Sequence, residues 1–215
     1  MSATTPASRT ELLKGLYLLL DPSIRPDRPL PDLLKTSADQ GVRLFQYRDK
    51  QATMKDAYRQ ALELRRAAAE TGSLLIINDR CDLALAVDAD GVHVGQDDLP
   101  VEQARKLLGP RKIVGLSTHN AEQVRAAVVA RPDYIGFGPI FSTSTKTDHD
   151  PLVGIDGLRD ARQLTELPIF AIGGITLKDV PGLLAAGATG VAVVSAILAA
   201  PDVGQALRGF LTALR

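Results

Sequence analysis

The chain is poor in the features that would give it away at once. It has one cysteine, Cys81, so it cannot form an intrachain disulfide, which suits a reducing cytoplasm. Its three histidines, His93, His119 and His149, lie far apart, and no Cys/His group has the spacing of a zinc site. Lys plus Arg and Asp plus Glu both total 25, giving a formal net charge of zero. That balance, with no basic block, excludes an overall field that would draw nucleic acid or an anionic membrane. The longest apolar stretch, 191–200, is interrupted by Ser195 and falls short of the ~20 residues needed to cross a bilayer. Residues 1–10 (MSATTPASRT) are polar and lack the apolar core of a secretory signal. We expect them to form a flexible tail ahead of a single domain over 11–215. The expected protein is soluble and cytoplasmic. Its expected partners are small-molecule substrates, not nucleic acid or membrane, and self-association into a homo-oligomer stays open.

What the chain does have is repetition of one pattern. Apolar, strand-like runs recur at 15–21, 42–47, 73–77, 91–96, 112–117, 134–140, 168–172 and 190–195. Between them lie segments richer in Ala, Leu, Glu, Arg and Gln. Over 53–70, Met54, Ala57, Tyr58, Ala61, Leu62 and Leu64 fall at helical spacing. Asp98 and Asn120 can cap the helices that follow them, a final helix is expected over about 201–214, and the helix after the third strand has room for barely two turns. Alternating strand and helix units imply a parallel sheet. Eight units in roughly 200 residues, without a linker, predict a compact (β/α)8 TIM barrel of the α/β class. The competing doubly wound sheet would want a glycine-rich phosphate turn after the first strand, and Leu20-Asp21-Pro22-Ser23 has no glycine.

Barrel chemistry sits at the C-terminal ends of the strands, and the polar clusters fall there. On the second strand, alternation puts Gln46 and Arg48 on the inward face and Phe45 and Tyr47 on the outward one. A buried arginine needs an anion. Arg48, with Lys50 as a mobile charge, suits a phosphate; a structural ion pair with Asp49 or another carboxylate is the alternative. Asn78-Asp79 and Gln96-Asp97-Asp98 follow neighbouring strands. Each aspartate could cap a helix; as a pair they could hold Mg²⁺, which takes one or two carboxylates plus substrate oxygens. Strict alternation turns Asn78 inward and Asp79 outward, so Asp79 has to be re-aimed by its turn. Ser142, Thr143, Ser144, Thr145 and Lys146 make a hydroxyl-rich loop suited to phosphate oxygens or to a plain polar turn. Gly173-Gly174 after strand seven and Ser195 after strand eight stand where this fold often binds phosphate through backbone N–H groups. Ser117 reads better as a donor to an anion than as a nucleophile paired with His119, because no third residue orients that histidine. His93, inside strand four, reads as a satisfied core histidine, and Cys81 as a small buried residue.

The ordered set QYRDK (46–50), INDR (77–80), HVGQDD (93–98), LSTH (116–119), GFGPIFSTSTK (136–146), AIGGIT (171–176) and VAVVSAI (191–197) resembles the thiamine-phosphate synthase family, and the likeness covers nearly the whole chain from about Gly15. The resemblance implies a (β/α)8 barrel that couples hydroxymethylpyrimidine diphosphate with thiazole phosphate to give thiamine phosphate and pyrophosphate. It implies Asp79 and Asp98 as Mg²⁺ ligands and Arg48, Lys50, Ser117 and Lys146 as diphosphate contacts. It further implies Gln46 and Asn78 as pyrimidine contacts, and Thr143, Thr145, Gly174, Val194 and Ser195 as the thiazole-phosphate pocket. A thiazole tautomerase-like isomerase would share the fold and that pocket without needing both carboxylates or the Arg48/Lys50 pair. A non-catalytic barrel that binds thiamine precursors would need no metal.

Overall fold

A computed structural model describes residues 12–143 and 151–215; the expected tail at 1–10 and the loop segment 144–150, with Thr145, Lys146 and His149, lie outside the described residues. Eight strands close into a parallel barrel in chain order. They are β1 Gly15–Leu20, β2 Leu44–Tyr47, β3 Leu74–Asn78, β4 Gly91–Val94, β5 Ile113–Thr118, β6 Tyr134–Phe137, β7 Ile169–Ala171 and β8 Gly190–Val193. The expected (β/α)8 TIM barrel is what forms, and each apolar run supplies one strand.

Alternation along these strands sorts the core into two layers. Leu16, Leu18, Phe45, Tyr47, Leu75, Ile77, Val92 and Val94 pack outward against the helices. Tyr17, Leu44, Leu74, Ile76, Ile113, Tyr134 and Phe170 fill the barrel interior, with Leu13 beneath them.

The helices cover the outer layer. They are α1 Leu30–Asp39, α2 Met54–Thr71, α3 Cys81–Ala86, α4 Val101–Leu108, α5 Ala121–Ala130, α6 Gly154–Leu164, α7 Val180–Ala185, α8 Ser195–Leu198 and α9 Val203–Ala213. In α2 the buried face runs through Ala57, Ala61, Leu64, Ala67 and Ala68. Met54 and Tyr58, expected on that face, are instead exposed. The small alanines let α2 lie close to the barrel, and the large side chains at its start are turned away. Asn120 caps α5, its side chain accepting from Gln123 N at 2.9 Å. The helix expected over about 201–214 forms as α9, capped by Asp202, and the short α8 before it is an addition. Among the described residues no helix is long and apolar enough to cross a membrane.

Candidate active site

The chain has only four tyrosines and five phenylalanines, and three of them meet at one place. Tyr17, Tyr134 and Phe170 pack edge to face in the upper barrel, with centroids 5.2–5.7 Å apart. They floor a cavity of about 850 Å³ that opens at the C-terminal ends of the strands. Gln46, Arg48, Lys50, Asn78, Asp79, Asp98, Ser117, Thr143, Gly174, Val194 and Ser195 all line it. The described candidates from the sequence are thus gathered around one space.

The turn after β3 answers the question of parity. Asp79 adopts φ +59°, a left-handed conformation rare outside glycine. Its N–H donates to the His93 carbonyl at 2.7 Å. This single residue breaks the alternation and brings its carboxylate to the cavity beside Asn78. Neither aspartate caps a helix. The N-cap of α3 is Arg80 and that of α4 is Pro100, both without a side-chain bond. Asp98 instead closes its own turn, accepting from Gly95 N at 2.7 Å. Burial raises the Asp98 pKa above the usual carboxylate value, the Gly95 N–H opposes this, and hydrogen bonding and like charge from Asp79 raise it further. Lys50 forms an ion pair with Asp79.

Two crowded carboxylates at a cavity edge are a donor set that gains from a divalent cation. Among the described residues no group of three or more His, Cys, Asp or Glu side chains could hold a metal. A pair of carboxylates such as Asp79 and Asp98 has the chemistry of a site for an ion like Mg²⁺, which takes one or two carboxylates and completes its shell with water and substrate oxygens.

Arg48 is held by an acidic partner that sequence reasoning did not name. Its Nη1 donates to Asp21 Oδ2 at 2.7 Å, and Asp21 is buried at the end of β1. Asp21 Oδ1 also accepts from Ser23 N at 3.0 Å and Ser23 Oγ at 2.6 Å. Asp49, the adjacent candidate, turns back to accept from Gln51 N and Ala52 N at 2.9 and 3.0 Å. The signal for Asp21 was a carboxylate ending the strand next to Arg48.

His93 is buried, with Nδ1 3.0 Å from Tyr134 Oη and Nε2 2.9 Å from Ser117 Oγ. Burial lowers its pKa to about 4, so the ring is neutral at pH 7. Ser117 thus pairs with His93 and not with His119, whose Nδ1 lies 2.6 Å from the Gly138 carbonyl oxygen. Gln96, which also lines the cavity, donates from Nε2 to Ser117 O at 2.6 Å. Gly173 and Gly174 have φ +90° and +61°. A Cβ at Gly173 would come within 2.6 Å of Pro139 Cβ, and one at Gly174 would meet the backbone of Phe141 and Ser142. The glycine pair lets the loop after β7 lie against the loop after β6, a packing reason the sequence did not reveal.

The thiamine monophosphate synthase family matches residues 16–197. A thiamine-phosphate synthase from Chloroflexus aurantiacus is 47% identical over 193 residues, covering 90% of this chain and 89% of that protein. One from Synechococcus sp. is 44% identical over 214 residues, spanning all of this chain and 60% of the longer relative. Among solved structures, thiamine phosphate pyrophosphorylase from Pyrococcus furiosus superposes with a TM-score of 0.84 at 32% identity, covering 94% of this chain and 96% of that one. A barrel with this rim, matched in sequence and in structure over nearly its full length, belongs to the thiamine monophosphate synthase family of transferases.

Proposed function

We propose that the protein joins hydroxymethylpyrimidine diphosphate to thiazole phosphate, releasing pyrophosphate and leaving thiamine phosphate. The observation that carries this reading is the pairing of two carboxylates, Asp79 and Asp98, with two cations, Arg48 and Lys50, above an aromatic well. An anionic leaving group needs fixed positive charge where its own charge grows. Asp79 and Asp98 would hold Mg²⁺, which when bound supplies charge neutralisation for the departing diphosphate. Arg48, oriented by Asp21, and Lys50 face the same anion, and Ser117 donates to it.

The bond that breaks joins the pyrimidine methylene carbon to the diphosphate oxygen, and its electron pair leaves with pyrophosphate. The bond that forms joins that carbon to the thiazole ring nitrogen, using the nitrogen lone pair. The nitrogen carries no proton to remove. A general base is therefore unnecessary, in keeping with a neutral His93 bonded at both ring nitrogens. The aromatic floor and the amides of Gln46 and Asn78 suit a flat heteroaromatic ring. The Gly173-Gly174 turn, Thr143, Val194 and Ser195 suit the thiazole phosphate, holding it against the reacting carbon. Lys146 and Thr145 join the diphosphate and thiazole-phosphate contacts on family likeness alone.

A tautomerase-like role would leave the Asp79/Asp98 pair and the Arg48/Lys50 pair without a task, and a simple precursor-binding protein would not need a metal to polarise a leaving group. The test is direct. Purified protein is given both substrates, with and without Mg²⁺, and thiamine phosphate and pyrophosphate are measured. We expect equimolar products only with the metal. Folded protein that yields neither product would reject the proposal.

A further inference from the structure

Gln46 and Ser117, two residues used in the chemistry above, are joined through the buried Tyr17, Tyr134 and His93. Gln46, Tyr17, Tyr134, His93 and Ser117 stand in a single file of hydrogen bonds across the barrel interior. Gln46 Nε2 donates to Tyr17 Oη at 2.7 Å, and Tyr17 Oη lies 2.8 Å from Tyr134 Oη. Tyr134 Oη is 3.0 Å from His93 Nδ1, and His93 Nε2 is 2.9 Å from Ser117 Oγ. The file exists because one side chain is missing. In register, Gly115 on β5 stands between His93 on β4 and Tyr134 on β6. A Cβ there would come within 2.6 Å of His93 Nδ1 and would collide with the Tyr134 ring.

Counting protons gives the file a direction. Tyr17 accepts from Gln46, so its own proton goes to Tyr134. Tyr134 then gives its proton to His93 Nδ1. The neutral ring must carry its proton on Nε2 and donate to Ser117 Oγ. The Ser117 proton is left over at the end, on the residue that lines the cavity. With Gln46 as donor, any other order strands a buried phenol proton, at a cost of about 1–3 kcal/mol.

We propose that Tyr17, Tyr134 and His93 are positioning residues that transmit the orientation of the Gln46 amide to the Ser117 hydroxyl, so that the ligand group met by Gln46 decides whether Ser117 can donate to an anion. With its nitrogen toward Tyr17, the amide leaves its oxygen for the ligand, and the matching ligand group is a donor such as a ring amine. A ligand that required a donor from Gln46 would turn the amide over. Every proton in the file would then reverse, His93 would be protonated on Nδ1, and Ser117 would give its proton to Nε2 and not to the anion. The identity of that anion, the diphosphate, rests on the function proposed above.

Selective ¹⁵N-histidine labelling tests this on the intact, ligand-free protein, which has only three histidines to resolve; His93→Gln assigns the relevant ring. We expect the Nε2-protonated tautomer in the wild type, and loss of that preference in Tyr134→Phe, where Ser117 is free to donate to Nε2. In turnover, Tyr134→Phe should lower kcat about tenfold, the worth of one oriented hydrogen bond, with little change in KM. In a Ser117→Ala background the same change should cost less than about twofold. An Nδ1-protonated ring in the wild type overturns the proposal, as does a tautomer unmoved by Tyr134→Phe, or a tenfold loss that persists without Ser117. The wild-type tautomer does not depend on Tyr134→Phe, so a Tyr134→Phe protein that fails to fold does not block the test. If the wild type makes no thiamine phosphate but has the expected tautomer, the proposed function falls and the relay stands. If it makes thiamine phosphate with the opposite tautomer, the relay falls and the function stands.

Discussion

The rim of this barrel has two unlike halves. The ends of β2 to β5 present side chains: Arg48, Lys50, Asn78, Asp79, Asp98 and Ser117, most of them charged. Among the described residues, the ends of β6 to β8 present no charged side chain to the cavity. They present two glycines, hydroxyls and backbone. The difference matches two different tasks. A group whose charge grows during the reaction needs fixed charges aimed at it, because those act more strongly on the transition state than on the ground state. A phosphate that is only held can be held by N–H groups and hydroxyls. On the proposed reading the first half, joined by Lys146, handles the leaving diphosphate, and the described part of the second holds the phosphate of the incoming ring.

The largest effect should come from emptying the charged half. Asp79→Ala and Asp98→Ala should each lower kcat about 10²- to 10³-fold, the range seen when one electrostatic stabiliser is removed. The melting temperature should fall by only a few degrees, because neither residue caps a helix and what is lost is the Gly95 turn bond of Asp98 or the Lys50 pair of Asp79. Turnover and melting measured together check this. A variant that melts early yet keeps its turnover per folded molecule would break the division of the rim.

The charged half was also the more legible. Residue type and strand position were enough to gather its members, since Lys, Arg and Asp at strand ends advertise themselves. All eight strands were legible for a similar reason: short apolar runs with no competing helical period. What stayed hidden depends on contacts between distant strands. Nothing local distinguishes Tyr17 and Tyr134 from other inward apolar positions until the barrel closes and β1, β4, β5 and β6 share one interior. Asp79 looked misdirected because period-two alternation assumes an extended backbone, and its left-handed turn ends that assumption. Asp98 looked like a cap because it precedes a helix by a few residues, but Gly95 N–H offers it a nearer partner. The glycines after β7 read as a ligand cradle, and what stayed hidden is that their Cβ positions would also be filled by the neighbouring loop.

Acid should separate the halves in a second way, because buried His93 belongs to the charged one. Its folded pKa is about 4, against an ordinary value of 6.5. Burial is the main cause; Asp98 pulls the value up and His119 pushes it down. Below pH 6.5 the unfolded chain binds the proton and the folded one does not, so stability falls as pH drops from 6.5 to about 4 and levels off beneath. The loss has an upper size of about 3 kcal/mol. Denaturant titrations at pH 7 and pH 4.5 measure it. The slope should be largely absent in His93→Gln, and a slope that persists there would assign the acid sensitivity to other groups.

The smallest effect should come from the neutral half. Ser195 begins α8 beside the cavity, directly after β8. On the proposed reading, removing its hydroxyl deletes one hydrogen bond to an anion and leaves neighbouring backbone N–H groups in place, a change of about 1.5 kcal/mol, or roughly tenfold. On that reading the thiazole phosphate is bound equally before and during bond formation, so the whole loss should appear as a higher KM for that substrate, with kcat unchanged. Initial rates at saturating pyrimidine diphosphate read this directly. A fall in kcat at constant KM would mean that Ser195 acts on developing charge, and the two halves of the rim would then share one task.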